Sequence, residues 1–64
     1  MSKSVFKQCR EAKGVSQGKM AYDLGISKDY IYLIESKKRK PALAMAKKMA
    51  DYLGTTMDNL FFQD

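Results

Sequence analysis

The sequence has no histidine and only one cysteine, Cys9. One cysteine cannot form an internal disulfide, and without histidine the common metal sites and general bases cannot be assembled. No glycine-rich phosphate loop and no nucleophile–base pair is present. We therefore expect no catalytic residue, metal site, cofactor or small-molecule ligand, and we place the protein in the reducing cytosol.

Long apolar runs are also missing. No run approaches the roughly 18 residues that a membrane helix needs, and the N-terminus lacks the apolar segment of a secretory signal. With 64 residues the chain predicts one domain, with its core over about residues 5–62. A domain of this size buries only about 60% of the surface of its unfolded chain, so every apolar residue counts.

The charge is uneven along the chain. Residues 1–41 contain ten Lys or Arg and four Asp or Glu, a net charge of +6. Residues 42–64 contain two and three, a net charge of −1. A basic region of this kind suits a polyanion, because cations that reach phosphates release condensed counterions. Charge alone leaves an ordinary solvated surface open as the alternative.

Helical spacing of apolar residues recurs along the chain and is interrupted at Gly14, Gly25 and Gly54. Glycine adopts a positive φ at little cost, so these positions are typical of helix ends. Three hydroxyl residues stand where helix N-caps are expected, namely Ser16, Ser27 and Thr56. The pattern predicts helices over about 4–13, 17–24, 28–36 and 42–53, and a last short helix after Thr56. No segment alternates as a strand does, so the predicted fold is all-α with five helices.

The inward faces of these helices are mainly apolar. The predicted core is Phe6, Cys9, Met20, Ala21, Leu24, Ile26, Ile31, Ile34, Leu43, Ala46, Met49, Ala50, Leu53 and Leu60. Arg10 shares a helix face with Phe6, so its guanidinium needs a carboxylate to offset desolvation. Glu35 is the one acid on the predicted inner side of helix three.

The second and third helices are separated by little more than Gly25. Ala21 is small enough for helix three to cross closely, and Gly25 lets the chain turn sharply. At about 100° per residue, helix three places Asp29, Tyr32, Leu33 and Ser36 outward, with Lys28 at the flank. This arrangement predicts a helix-turn-helix.

The same residues form an ordered series of motifs. The series comprises Arg10, the segment GVSQ, Ala21 four residues before Gly25, the turn GIS, Ile31, Ile34 with Glu35, a basic loop ending at Pro41, and LG followed by MDNLF. Over about residues 5–62 it resembles the DNA-binding domain of the Cro and phage-repressor family, also called the XRE family. The resemblance implies a compact lambda-repressor-like fold and a sequence-specific regulator of transcription, a repressor by expectation, that binds double-stranded DNA. The small size suggests a bacterial, phage or mobile-element source.

The resemblance implies that helix three lies in the major groove and that four of its residues contact bases, namely Lys28, Asp29, Tyr32 and Leu33. Lys28 can donate to guanine, Asp29 can accept from cytosine, and Leu33 can contact a thymine methyl. Two alternatives stay open. Asp29 could simply favour the helix N-terminus, and Lys28 could touch phosphate alone.

Phosphate contacts are expected on both sides of the groove. At the N-terminus of helix two the candidates are Gln17, Gly18 and Lys19, where free N–H groups attract anions. By resemblance the Gln17 side chain touches the DNA backbone and steadies helix three; it could also be an idle first-turn residue. In the loop the candidates are Lys37, Lys38, Arg39 and Lys40, with a minor groove as an alternative target for Arg39. The resemblance also implies that Arg10 and Glu35 form a structural ion pair.

Two positions depart from the family pattern. Gly18 and Lys19 stand where acids are common, so helix two lacks a capping box and its first turn is expected to be weaker. Lys37 stands where a glycine usually ends helix three. Because lysine is costly at a positive φ, we expect this helix to end differently and the basic loop to shift.

Paired half-sites on DNA imply a homodimer, at least on DNA. The terminal apolar residues Met57, Phe61 and Phe62 are the candidate dimer interface; the alternative is that they cover the core of one chain. A second function class also stays open. An antirepressor, or another protein-interaction module with this fold, could use Tyr32 and Leu33 to bind a protein.

Overall fold

The computed structural model describes residues 4–61. Within this range it is all-helical, with no strand, which confirms the predicted fold class. The five helices are α1 (Val5–Lys13), α2 (Gln17–Leu24), α3 (Lys28–Glu35), α4 (Leu43–Leu53) and α5 (Met57–Phe61). The predicted bounds hold for α2, and those of α1, α3 and α4 differ by one residue at one end.

Side-chain caps begin three of the helices, as predicted. Ser16, Ser27 and Thr56 each accept a hydrogen bond from the backbone N–H three residues later, at 3.0, 3.1 and 3.1 Å. Each bond satisfies one of the N–H groups that have no partner inside the helix. The caps therefore fix where α2, α3 and α5 start.

Glycines end three helices, also as predicted. Gly14, Gly25 and Gly54 have φ of 79°, 72° and 71°. At each, the glycine N–H and the next N–H bond back to carbonyls in the last turn. This double bond pattern closes the helix, and it requires the left-handed backbone that glycine adopts at little cost.

The end of α3 differs in residue type but not in geometry. Lys37 has a φ of 64° and donates its N–H to the Ile34 carbonyl at 3.1 Å. Lys38 donates to the Leu33 carbonyl at 2.9 Å. These are the same bonds that close the other helices. Our expectation that lysine would change this helix end was wrong, because the two bonds outweigh the unfavourable φ.

The core lies where the five helices meet. Phe6, Met20, Ile31 and Met49 are almost fully buried, and Cys9 and Leu53 pack against them while partly exposed. The prediction for Leu43 was wrong, since this side chain is 72% exposed. Helical spacing identifies the face of α4, but Leu43 lies in its first turn, beside the exposed loop. None of the described helices is long and apolar enough to cross a membrane.

Candidate nucleic-acid interface

The turn between α2 and α3 holds the two helices in a fixed relationship. Ala21 is 3% exposed, and its carbonyl accepts the Ile26 N–H at 3.0 Å. Gly25 makes the turn with its left-handed backbone, and the Ser27 cap starts α3 directly afterwards. A helix-turn-helix is therefore present, and α3 stands where such a motif carries its recognition helix.

The outer face of α3 is available for contact. Lys28 and Asp29 are exposed in its first turn, and Tyr32 is 49% exposed. Leu33 is partly buried, so it offers less apolar surface than the helical wheel suggested. On the opposite side, Ile31 is fully buried and anchors α3 in the core. The four predicted base-contact residues thus lie on a helix whose inner face is fixed.

A loop with four consecutive cations follows α3, and we call residues 37–40 the basic loop. All four side chains are exposed. The Leu33 carbonyl accepts the N–H groups of both Lys38 and Arg39, at 2.9 and 3.2 Å. This shared acceptor ties the basic loop to the last turn of α3.

Two tyrosines of α3 contact cations of the basic loop. The Arg39 guanidinium carbon lies 5.0 Å from the centre of the Tyr30 ring. The Lys38 ammonium lies 5.9 Å from the centre of the Tyr32 ring. Both distances are within the range of cation–π attraction. Sequence reasoning missed these pairs, although tyrosines in the helix before a cationic loop were a visible signal.

The first turn of α2 is less open to DNA than we expected. The Gln17 side chain donates to the Glu35 carboxylate at 3.3 Å, so in this structure it is directed at α3. Gly18 has room for a side chain, since a Cβ there would have its nearest neighbour at 3.9 Å. Lys19 pairs with Asp23 at 3.1 Å but keeps 59% of its side chain exposed. The backbone N–H groups of this turn and the Lys19 ammonium are the remaining candidates for phosphate contact.

Arg10 and Glu35 form a buried ion pair, as the resemblance implied. Arg10 Nε donates to Glu35 Oε1 at 2.8 Å, and Nη2 donates to Oε2 at 3.2 Å. Arg10 Nη1 donates to the Val15 carbonyl at 2.9 Å. The hydrogen bond to Glu35 raises the pKa of Arg10, against the opposing effect of burial. The pair joins α1 to α3 and thereby fixes the orientation of the recognition helix.

A second polar cluster joins α1, α2 and α4. The Tyr52 hydroxyl donates to Asp23 at 2.6 Å. Lys13 donates to the Tyr52 carbonyl at 2.6 Å, and its ammonium lies 4.4 Å from the ring centre. The hydrogen bonds from Tyr52 and Lys19 lower the pKa of Asp23, and the same bond raises the pKa of Tyr52. Sequence reasoning missed this cluster, because no local pattern links positions 23 and 52.

The candidate dimer residues are used within one chain. Met57 and Phe61 pack against the core, and the Phe61 and Phe6 rings are 6.1 Å apart. Both side chains remain partly exposed. Phe62 lies outside the described residues. In the described part of the chain, no group of His, Cys, Asp or Glu could hold a metal ion.

Comparisons with known proteins agree with this geometry. A family model described as helix-turn-helix matches residues 6–60. One relative, from Methanocaldococcus jannaschii, is 39% identical over 49 residues, which cover 77% of this chain but 15% of the relative. Another from the same organism is 31% identical over 62 residues, which cover 97% of this chain and 94% of the relative. Both are named as HTH-type transcriptional regulators.

These relatives are archaeal, so a bacterial or phage source stays a prediction. The match extends from α1 into α5 and includes the turn at Gly25 and the ion pair. The chain belongs to the XRE family of helix-turn-helix DNA-binding domains.

Proposed function

We propose that this protein is a sequence-specific regulator of transcription, a repressor, that inserts α3 into the major groove of double-stranded DNA. The observation that carries the proposal is the exposed face of α3, with Lys28 and Asp29 in its first turn, next to the four exposed cations of the basic loop. A helix in the major groove presents its N-terminal residues to base edges. The exposed side chains of Lys28 and Asp29 have the donor and acceptor groups to discriminate base pairs there.

The basic loop and the first turn of α2 supply the proposed phosphate contacts. In the loop these are Lys37, Lys38, Arg39 and Lys40, and at α2 they are the N–H groups of Gln17 and Gly18 and the ammonium of Lys19. Phosphate contacts set register and most of the salt dependence, whereas base contacts set sequence preference. The two sets lie at opposite ends of the motif, before α2 and after α3. They therefore suit the two strands that border one groove.

We propose that two copies bind paired half-sites about one helical turn apart, roughly 34 Å. Because Met57 and Phe61 already cover the core of their own chain, their remaining exposed surface is small. We therefore expect the homodimer to form on DNA rather than to be stable alone. Sedimentation of the free protein and of its complex with a selected duplex tests this. A stable dimer without DNA would contradict it.

The experiment that tests the proposed function is a titration of the wild-type chain with random-sequence duplex at several salt concentrations. We expect the association constant to fall steeply with salt, because every phosphate contact contributes a slope of about −0.9 in log–log form. An affinity for duplex that is absent at low salt would refute the proposal. The antirepressor alternative would then gain weight, and it predicts an apolar protein contact that changes little with salt.

A further inference from the structure

The two tyrosine–cation contacts divide the basic loop between two sides of α3. Consecutive helical residues are about 100° apart, so Tyr30 and Tyr32 project about 200° apart. Ile31, which stands between them, is fully buried. The two rings therefore lie on opposite flanks of α3, on either side of its buried edge. Arg39 lies over the Tyr30 ring and Lys38 over the Tyr32 ring.

The backbone alone does not account for this division. The N–H groups of Lys38 and Arg39 bond to one carbonyl, that of Leu33, so the two residues leave the helix at the same point. Their side chains are long and exposed, and each loses rotamer freedom when it is held in one place. A ring that attracts the cation holds the side chain before DNA arrives. Such preorganisation raises affinity because less ordering is left for the binding step.

Tyr30 is well suited to this role. Its side chain is partly buried and packs against the core, so the ring itself is fixed. A guanidinium that lies over a ring keeps the N–H groups at its edge free, and those groups match a phosphate. Tyr32 is 49% exposed and is itself a candidate base contact, so its hold on Lys38 is harder to isolate.

We infer that Tyr30 is a positioning residue that holds the Arg39 guanidinium on one flank of α3 for contact with a DNA phosphate. This inference rests on the proposed function, since it assigns a role within the DNA complex. It also gives the tyrosine a task that the packing of α3 does not require, because any apolar side chain of similar size could fill the core there.

A double-mutant cycle tests the inference. Wild type, Tyr30→Leu, Arg39→Gln and the double variant are titrated with a random-sequence duplex of about 30 base pairs, long enough for two half-sites. Circular dichroism first establishes the temperature at which all four are folded. We expect Tyr30→Leu to weaken binding about two- to fivefold in the wild-type background. In the Arg39→Gln background the same change has no further effect, although its cost to the core is the same.

Two matched variants sharpen the cycle. Tyr30→Phe keeps the ring and should bind like wild type. Tyr22→Leu removes a tyrosine that is 83% exposed on α2, and its effect should be equal in both Arg39 backgrounds.

Equal losses from Tyr30→Leu in both backgrounds would overturn the inference and leave Tyr30 a core residue. Tighter binding by Tyr30→Leu would also overturn it, since the ring would then withhold Arg39 from DNA. A wild-type chain that does not bind duplex at low salt would refute the proposed function itself, which separates the two failures.

Discussion

Arg10 on α1 and Glu35 on α3 are joined by two hydrogen bonds, of 2.8 and 3.2 Å, with both side chains about nine-tenths buried. This pair sets how the recognition helix sits on the rest of the domain. Breaking such a pair leaves one charge buried without a partner. The stability of the domain and the placement of α3 are thus linked through the same two residues.

The first prediction concerns this pair. Glu35→Ala should lower the free energy of unfolding by about 3–5 kcal/mol, because it leaves the Arg10 guanidinium buried without its carboxylate. Urea denaturation of the two proteins measures the difference. Glu11→Ala, which removes an exposed carboxylate from α1, is the control and should change stability by less than about 0.5 kcal/mol. An unchanged unfolding midpoint for Glu35→Ala would show that the pair is dispensable.

A second prediction follows from the left-handed residue at the end of α3. Lys37→Gly should be more stable than Lys37→Ala by about 1 kcal/mol, because only glycine adopts a φ of 64° without strain. Both variants lose the same charge, so electrostatic effects cancel in the comparison. Thermal unfolding of the two variants measures the difference. Equal midpoints would mean that Lys37 is not strained.

The N-terminal cap of α3 gives a third prediction. Ser27→Ala removes the acceptor of the Tyr30 N–H and should cost about 1 kcal/mol of stability. Ser27→Asn keeps a capping oxygen and serves as the matched control. Hydrogen exchange at the Tyr30 amide should be faster in Ser27→Ala than in Ser27→Asn. If the two variants exchange alike, the cap does not hold the first turn that carries Lys28 and Asp29.

The Tyr52–Asp23 hydrogen bond gives a fourth prediction, on pH. The pKa of Asp23 is lowered by folding, so its contribution is present above the ordinary value of 3.8 and is lost as the pH falls through the folded pKa. The pKa of Tyr52 is raised, so its contribution is present below 10.0 and is lost as the pH rises through the folded pKa. The melting temperature of wild type should therefore exceed that of Tyr52→Phe most between those limits.

The control for this pH dependence is Asp23→Asn, which removes the acid-side change while it leaves the tyrosine in place. Because both groups lie near solvent, we expect the differences to be modest. A gap between wild type and Tyr52→Phe that is constant from acid to alkaline pH would contradict the assigned partners.

Much of the fold could be predicted from the sequence because its signals are local. The caps at Ser16, Ser27 and Thr56 and the helix ends at the glycines depend on neighbouring residues alone. The burial of Leu43 could not be predicted in this way. Its spacing matches the inner face of α4, but its exposure depends on where the other helices end in space.

The candidate site was predictable where one helix carries it and not where it depends on distant residues. The exposure of Lys28 and Asp29 follows from the turn and the period of α3. The direction of Gln17 towards Glu35, and the contact between Tyr30 and Arg39, depend on how α2, α3 and the basic loop pack together. Lys37 shows a further limit, because residue preference argued against the φ that two backbone bonds impose.

The central claim is that α3 reads base pairs through its first turn, and the most direct test concerns Lys28. Sites bound by wild type are first selected from random duplexes, and affinities for the selected site and all its single-base-pair variants are then measured. Lys47→Ala, which removes an exposed cation from α4, is the matched control. We predict that Lys28→Ala loses discrimination at one base-pair position, by about 1–3 kcal/mol, while preferences elsewhere are kept. An equal weakening of all sequences by Lys28→Ala would contradict direct readout by this residue.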